Sequence, residues 1–143
     1  MPYKYLEDIA TADIAFRAWG KTMEEMFSAA ADATTQVMIE DLTTIIPDDE
    51  KLIQLENDSL EMLLFEFLQE FIYYKDAEQF LFRVEHIEIK PKGKLFSLLA
   101  LLRGEKLDPQ KHPQNVDVKA VTMHRFRVTE IQEGWEAEVV LDI

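Results

Sequence analysis

The 143-residue chain contains no cysteine. Disulfides, thiolate metal sites and cysteine nucleophiles are therefore excluded. Glycine is scarce, with single residues at 20, 93, 104 and 134, so no glycine-rich loop is present to cradle phosphates. No serine stands in a nucleophile elbow. No apolar run approaches the ~18 residues that a membrane-spanning helix needs. The opening MPYKYLED carries no apolar export-signal core, which makes a cytoplasmic location the expectation. Linkers rich in Gly, Ser or Pro, low-complexity runs and short repeats are all missing. One domain spanning 1–143 is expected.

What is present is apolar residues and acid. Hydrophobic residues make up 48% of the chain and charged residues 30%, a globular balance rather than a disordered one. The net charge is −13, so direct binding of nucleic-acid backbones, which takes dense Lys and Arg, is not expected. The charge is uneven. Positions 1–80 hold 5 basic and 18 acidic residues, whereas 83–127 hold 10 basic and 5 acidic. Such a division reads as two solvated surfaces of opposite bias, or as a match to a protein partner of complementary charge.

Two helices are predicted. Thr22 with Glu25 three residues later forms a capping box, and Met26, Phe27, Ala30, Thr34, Val37 and Met38 follow near one face. The second helix begins at Asp58 or Ser59. Leu60, Leu63, Leu64, Phe67, Leu68, Phe71 and Ile72 keep the helical period as a core stripe. The rest reads as strands. Ile14, Phe16 and Ala18 alternate with Ala15, Arg17 and Trp19. A change of phase between Phe80–Val84 and Ile87–Ile89 predicts a bulge. Leu95 to Leu102 reads as a strand buried on both faces, and Val116 to Val128 as a long alternating strand. Turns are expected at Pro91–Gly93 and at Gln132–Gly134, and Lys51–Asn57 as a further strand. The expected class is α+β: two layers, with two helices on one face of a mainly antiparallel sheet.

The chemistry-bearing residues are sparse. His86, His112 and His124 are not at zinc-ligand spacing from one another; they read as a strand histidine, a turn histidine beside Pro113 and a strand-surface histidine. Asp48, Asp49 and Glu50 read as a solvated turn, and Glu24 and Glu25 complement a helix N-terminus. Asp13 stands at the entrance of the first clear strand. Asp142 points away from the apolar face of the last strand, and Ile143 adds an α-carboxylate. Were Asp13 to lie alongside, this hard anionic oxygen set would suit Ca²⁺, Mg²⁺ or Mn²⁺ rather than zinc. Periodicity does not bring Asp13 to Asp142. Lys119, amid β-branched residues, reads as an edge charge or a functional cation.

The chain resembles the archease family. The resemblance runs through YLEDIATADIAFRAWGKTMEEMFSAAA, LLFEFLQEFIY, RGEKLDPQKHPQNVDVKAVTMH and the terminal GWEAEVVLDI, and it covers nearly the whole chain. It implies a small α+β fold with a strand–helix–strand–strand core. It also implies a protein cofactor, not itself an enzyme, of the GTP-dependent tRNA-splicing ligase that seals 3′-phosphate or 2′,3′-cyclic-phosphate ends to a 5′-hydroxyl. Such a cofactor promotes guanylylation of the ligase, supports multiple turnover and broadens nucleotide use. By the same resemblance a divalent metal, Ca²⁺ first, is held by Asp13, Asp142 and Ile143, and Lys119 acts in activation. Three positions depart from the family pattern: Ala10 replaces a histidine, Ala15 a glycine and Met123 a tyrosine. Two other functions are the alternatives. One is a chaperone or binding module for another tRNA-modifying enzyme, such as a methyltransferase. The other is an independent metal-dependent phosphohydrolase, which no second carboxylate–histidine constellation supports.

Overall fold

The computed structural model describes residues 2–6 and 13–143. Its elements run β1 (Tyr3–Leu6), β2 (Asp13–Gly20), α1 (Met23–Met38), a single 3-10 turn (Leu42–Thr44), β3 (Asp49–Asn57), α2 (Leu60–Glu78), β4 (Phe80–Lys92), β5 (Leu95–Lys106), β6 (Ala120–Val121), β7 (Arg127–Ile131) and β8 (Gly134–Asp142). Two helices among antiparallel strands make this the expected α+β class.

Both helices start where their caps dictate. Thr22 Oγ1 accepts from the Glu25 amide at 3.1 Å, and Glu25 Oε2 accepts in return from the Thr22 and Lys21 amides at 3.2 and 2.7 Å. Two orphan donors of the first turn are thereby satisfied. In α2 the cap is Ser59, whose side chain accepts from the Met62 amide at 3.2 Å. That helix ends at Gln79, whose φ of 58° is left-handed, a backbone state that stops a helix.

The strands divide between two sheets rather than one. The larger has the order β1-β2-β8-β6, with β7 also paired to β8; the smaller has the order β3-β5-β4. Among the described residues no strand backbone of one sheet approaches a strand backbone of the other, while each helix packs on both. Helix α1 packs on β2 and β8 and also on β4, and α2 on β3, β4 and β5 and also on β6 and β7. The helices are thus a shared filling. Phe27, Phe67, Leu63, Leu64 and Leu68 are fully buried there, and the Phe27 and Phe67 rings sit 5.9 Å apart. Burial of side chains of this size supplies roughly 1.5–3 kcal/mol each before entropy is counted.

Two strand expectations are corrected. β5 is not buried on both faces. Leu98, Ala100 and Leu102 are buried, but Leu99 and Leu101 are only half-buried, because among the described residues no layer covers the outer face of the small sheet. The long strand over Val116–Val128 is broken: only Ala120–Val121 and Arg127–Ile131 pair with β8. Between them the Phe126 amide donates to the Met123 carbonyl and Arg125 takes a φ of 54°. His124 therefore lies in a turn and not on a strand. The change of phase in β4 is a bulge between Val84 and His86, as expected. β3 forms over Asp49–Asn57, and the turn after β4 centres on Gly93 and Lys94. Nothing in the alternation pointed to β1, which is only four residues long.

Gly104 fixes how closely β4 and β5 approach at the bulged end. It pairs with Phe82, and a Cβ added there would run into the Leu81 carbonyl oxygen and the Phe82 backbone. Backbone cannot yield as a flexible side chain does. Gly104→Ala is expected to cost about 2 kcal/mol or more, read as a lower urea midpoint at unchanged slope. A loss within about 0.5 kcal/mol would show that the strands separate freely there.

Candidate functional site

The site begins with strand register. β2 and β8 are antiparallel, and Ile14, Phe16 and Ala18 face Leu141, Val139 and Ala137 across the pair. All six belong to the core or pack against it. With that set committed to the helices, the alternate residues take the other face of the sheet: Asp13 opposite Asp142, Ala15 opposite Val140, Arg17 opposite Glu138 and Trp19 opposite Glu136. Asp13 is the first residue of β2 and Asp142 the last of β8. Directly opposed residues carry Cβ atoms about 4.5–5.5 Å apart on one face. Two carboxylates thus meet at one corner of the large sheet, with the main chain of Ile143 following at once.

Lys119 joins this corner through its backbone. Its amide donates to the Asp142 carbonyl at 2.8 Å, and Ala120 then pairs with Asp142. The Thr122 amide and hydroxyl both donate to the Val140 carbonyl at 3.0 Å. The Lys119 side chain is exposed. The segment between β5 and β6 is held against the helices as well. Asn115 and Val116 donate to the Met38 and Val37 carbonyls, Val118 is fully buried, and the Val121 amide donates to Gln69 Oε1 at 3.1 Å. Asp117 pairs with Lys75 Nζ at 2.7 Å.

A buried polar knot holds the far end of this segment. His112, read from the sequence as a turn histidine, is fully buried. The Asp108 amide donates to its Nδ1 at 2.9 Å, which leaves Nε2 to carry the proton and donate to Glu105 Oε2 at 2.8 Å. Glu105 also receives Lys111 Nζ at 2.7 Å and the Ile46 amide at 2.8 Å. Burial pushes the Glu105 carboxyl upward, but the Lys111, Ile46 and His112 bonds outweigh it and bring it down to about 2. The motif RGEKLDPQKHPQN contained both partners, but sequence offered no reason to join Glu105 to a histidine seven residues on.

The donor set at the corner is all oxygen, which fits a hard divalent cation. No group of three His, Cys, Asp or Glu side chains converges anywhere among the described residues. The main-chain oxygens of Ile143 follow Asp142 directly and are of the same hard oxygen type. Of the three departures from the family pattern, Ala10 lies outside the described residues. Ala15 is buried opposite Val140, and Met123 is exposed in the turn before β7. His86 pairs with Glu88 at 3.2 Å on the open face of the small sheet.

Because folding lowers the Glu105 carboxyl, its contribution is complete above the ordinary glutamate range near ~4.3 and is lost as pH falls from there toward about 2. Glu105→Gln is expected to cost about 1–3 kcal/mol at neutral pH, with the gap to the parent chain closing as pH falls from about 5 to about 2. Urea unfolding across that range checks it, and a gap independent of pH would contradict the ionised knot.

The family model described as "Archease protein family (MTH1598/TM1083)" matches residues 3–143. The protein archease of Methanosarcina barkeri is 38% identical over 142 residues, covering 99% of this chain and 95% of that protein. The protein archease of Pyrococcus abyssi is 36% identical over 134 residues, covering 93% and 94%. The solution structure of Methanobacterium thermoautotrophicum protein 1598 superposes with a TM-score of 0.86 at 26% identity over 99% of both chains. The crystal structure of an archease from Thermotoga maritima, described as a possible chaperone, shares the fold with a TM-score of 0.64 at 20% identity, covering 96% and 97%. With its fold, its motifs and a match of this length in agreement, the chain belongs to the archease family.

Proposed function

We propose that this chain is a non-catalytic activator of the GTP-dependent tRNA-splicing ligase, promoting the ligase's guanylylation and its multiple turnover and broadening its nucleotide use. The observation that carries the reading is the pairing of Asp13 with Asp142 at the corner where the Lys119 backbone is also tied. In this reading the two aspartates and Ile143 hold a divalent cation, with Ca²⁺ the first candidate and Mg²⁺ and Mn²⁺ the others. When bound, the cation supplies positive charge at the mouth of the partner's active site, where a triphosphate must be attacked.

The chain's own contribution is placement. Strand pairing holds Asp13 and Asp142 on rigid elements rather than on loops, as a site for positioning demands. The exposed Lys119 ammonium is carried on a segment anchored at both ends, so it can be presented to a developing phosphate charge. The net charge of −13 disfavours seizing the RNA directly and favours acting through the protein partner.

Asp13→Ala, Asp142→Ala and Lys119→Ala are expected to bind the ligase with parent affinity while slowing guanylylation about tenfold or more, the rate equivalent of about 1.4 kcal/mol. Pull-down with the ligase and a radiolabelled-GTP assay measure the two separately. Loss of binding together with rate would replace direct assistance by docking that only holds the ligase in a competent conformation. Parent rates in all three variants would remove the corner from the mechanism. An unchanged ligase, beside a tRNA methyltransferase kept soluble by this chain, would favour the chaperone function suggested by the description of the Thermotoga maritima protein.

A further inference from the structure

A second cluster shares the outer face of the large sheet. Arg17 of β2, Arg125 of the turn before β7 and Arg127 of β7 all reach one carboxylate, Glu138 of β8. Arg17 Nη2 lies 3.6 Å from Glu138 Oε1, Arg127 Nη2 also 3.6 Å from Oε1, and Arg125 Nη2 3.2 Å from Oε2. Glu136 adds contacts to Arg17 at 3.2 Å and to Arg127 at 3.5 Å. The Glu138 side chain is 6% exposed, whereas the three arginine side chains are 38%, 49% and 43% exposed. A carboxylate sits at the bottom and three guanidiniums stand above it, half in water.

This is more than a neutral surface lattice. Lys4 lies opposite Arg17 in register and so shares the face. Among the described residues of this face four cations then stand against two carboxylates, in a chain whose overall charge is −13. Each guanidinium has five N–H donors in a fixed fork, far more than the contacts to Glu136 and Glu138 consume. Arg17 spends its Nε on Glu136 Oε1 at 3.2 Å and its Nη2 on Glu138. Like charges held this closely repel one another, and Glu138 is the counter-ion that lets them assemble. Arg125 reaches it from a left-handed φ of 54°, a conformation that a bulky residue adopts only where its surroundings impose it.

We propose that Arg17, Arg125 and Arg127, gathered over Glu138, form a binding site for a compact, multiply charged phosphate anion of the polyphosphate class. Guanidiniums match phosphate oxygens in charge and in forked geometry. The small area of the cluster and the acidity of the rest of the chain select a compact anion over an extended nucleic-acid backbone. The site is distinct from the Asp13–Asp142 corner and goes beyond the ligase reading. Asp13 and Arg17 are four residues apart along one strand, or about 13 Å.

The test uses the full chain, ¹⁵N-labelled, in low-salt buffer with EDTA, titrated with sodium tripolyphosphate. Saturable shifts are expected at the Arg17, Arg125 and Arg127 Nε–H signals. Affinity is expected to fall about tenfold or more in the Arg125→Gln/Arg127→Gln double variant. It should stay within about twofold in Lys90→Gln/Lys92→Gln, which removes the same charge from the small sheet. Should the arginine double variant not fold, the guanidinium shifts of the parent chain decide alone. Absence of saturable shifts, or equal weakening in both double variants, overturns the proposal. So does a short single-stranded RNA that binds through the same arginines more tightly than tripolyphosphate. Because EDTA removes divalent cations, failure here leaves the carboxylate corner untouched.

Discussion

The register of β2 against β8 is the constraint on which the rest depends. Three apolar pairs, Ile14 with Leu141, Phe16 with Val139 and Ala18 with Ala137, set it by turning inward. A slip of one residue would take the whole inward set off the helices and onto the other face, so the register is strongly specified. Everything on the outer face follows from it. Asp13 faces Asp142 at one end, and Arg17 faces Glu138 further along. The carboxylate corner and the arginine cluster are two consequences of one packing decision.

The remaining elements hold that decision in place. The helices bind both sheets, so the core is continuous although no strand backbone of one sheet approaches one of the other among the described residues. The segment from β5 to β6 begins at the Glu105–His112 knot and ends with the Lys119 amide on the Asp142 carbonyl. A polar knot of this kind is costly to half-satisfy and rigid when complete. It therefore ties the end of the small sheet to the Lys119 backbone paired with Asp142 in the large one. Charge is divided in the same way. The acid-rich first half contributes the solvated faces of both helices, while Arg17, Arg125 and Arg127 gather on one face of the large sheet and Arg83 and Arg103 pair elsewhere on the small one.

Much of this was legible in the amino-acid sequence because local rules decide it. The Thr22–Glu25 capping box, the α2 stripe, the β4 bulge and the alternation of β2 and β8 all formed as their patterns dictate. The failures share a cause, which is that periodicity carries no information about what lies opposite. Leu99 and Leu101 extend an apolar run, yet among the described residues nothing covers their face of the small sheet. Val116–Val128 alternates, yet hydrogen bonds to Gln69 and β8 break it into a short pairing and a turn. Asp13 and Asp142 were candidates by residue type, and the family resemblance was what paired them before the register did. Glu138 was never a candidate, since the second of the two glutamates in GWEAEVV gives no sign that three arginines will close over it.

The central claim is that the paired aspartates form a cation site. Its most direct measurement is paramagnetic broadening of the ¹⁵N-labelled chain by trace Mn²⁺, competed with Ca²⁺. The account predicts broadening centred on the amides of Asp13, Lys119, Asp142 and Ile143 and reversed by Ca²⁺. Broadening spread along the acidic helix faces, with that corner sharp, would contradict it.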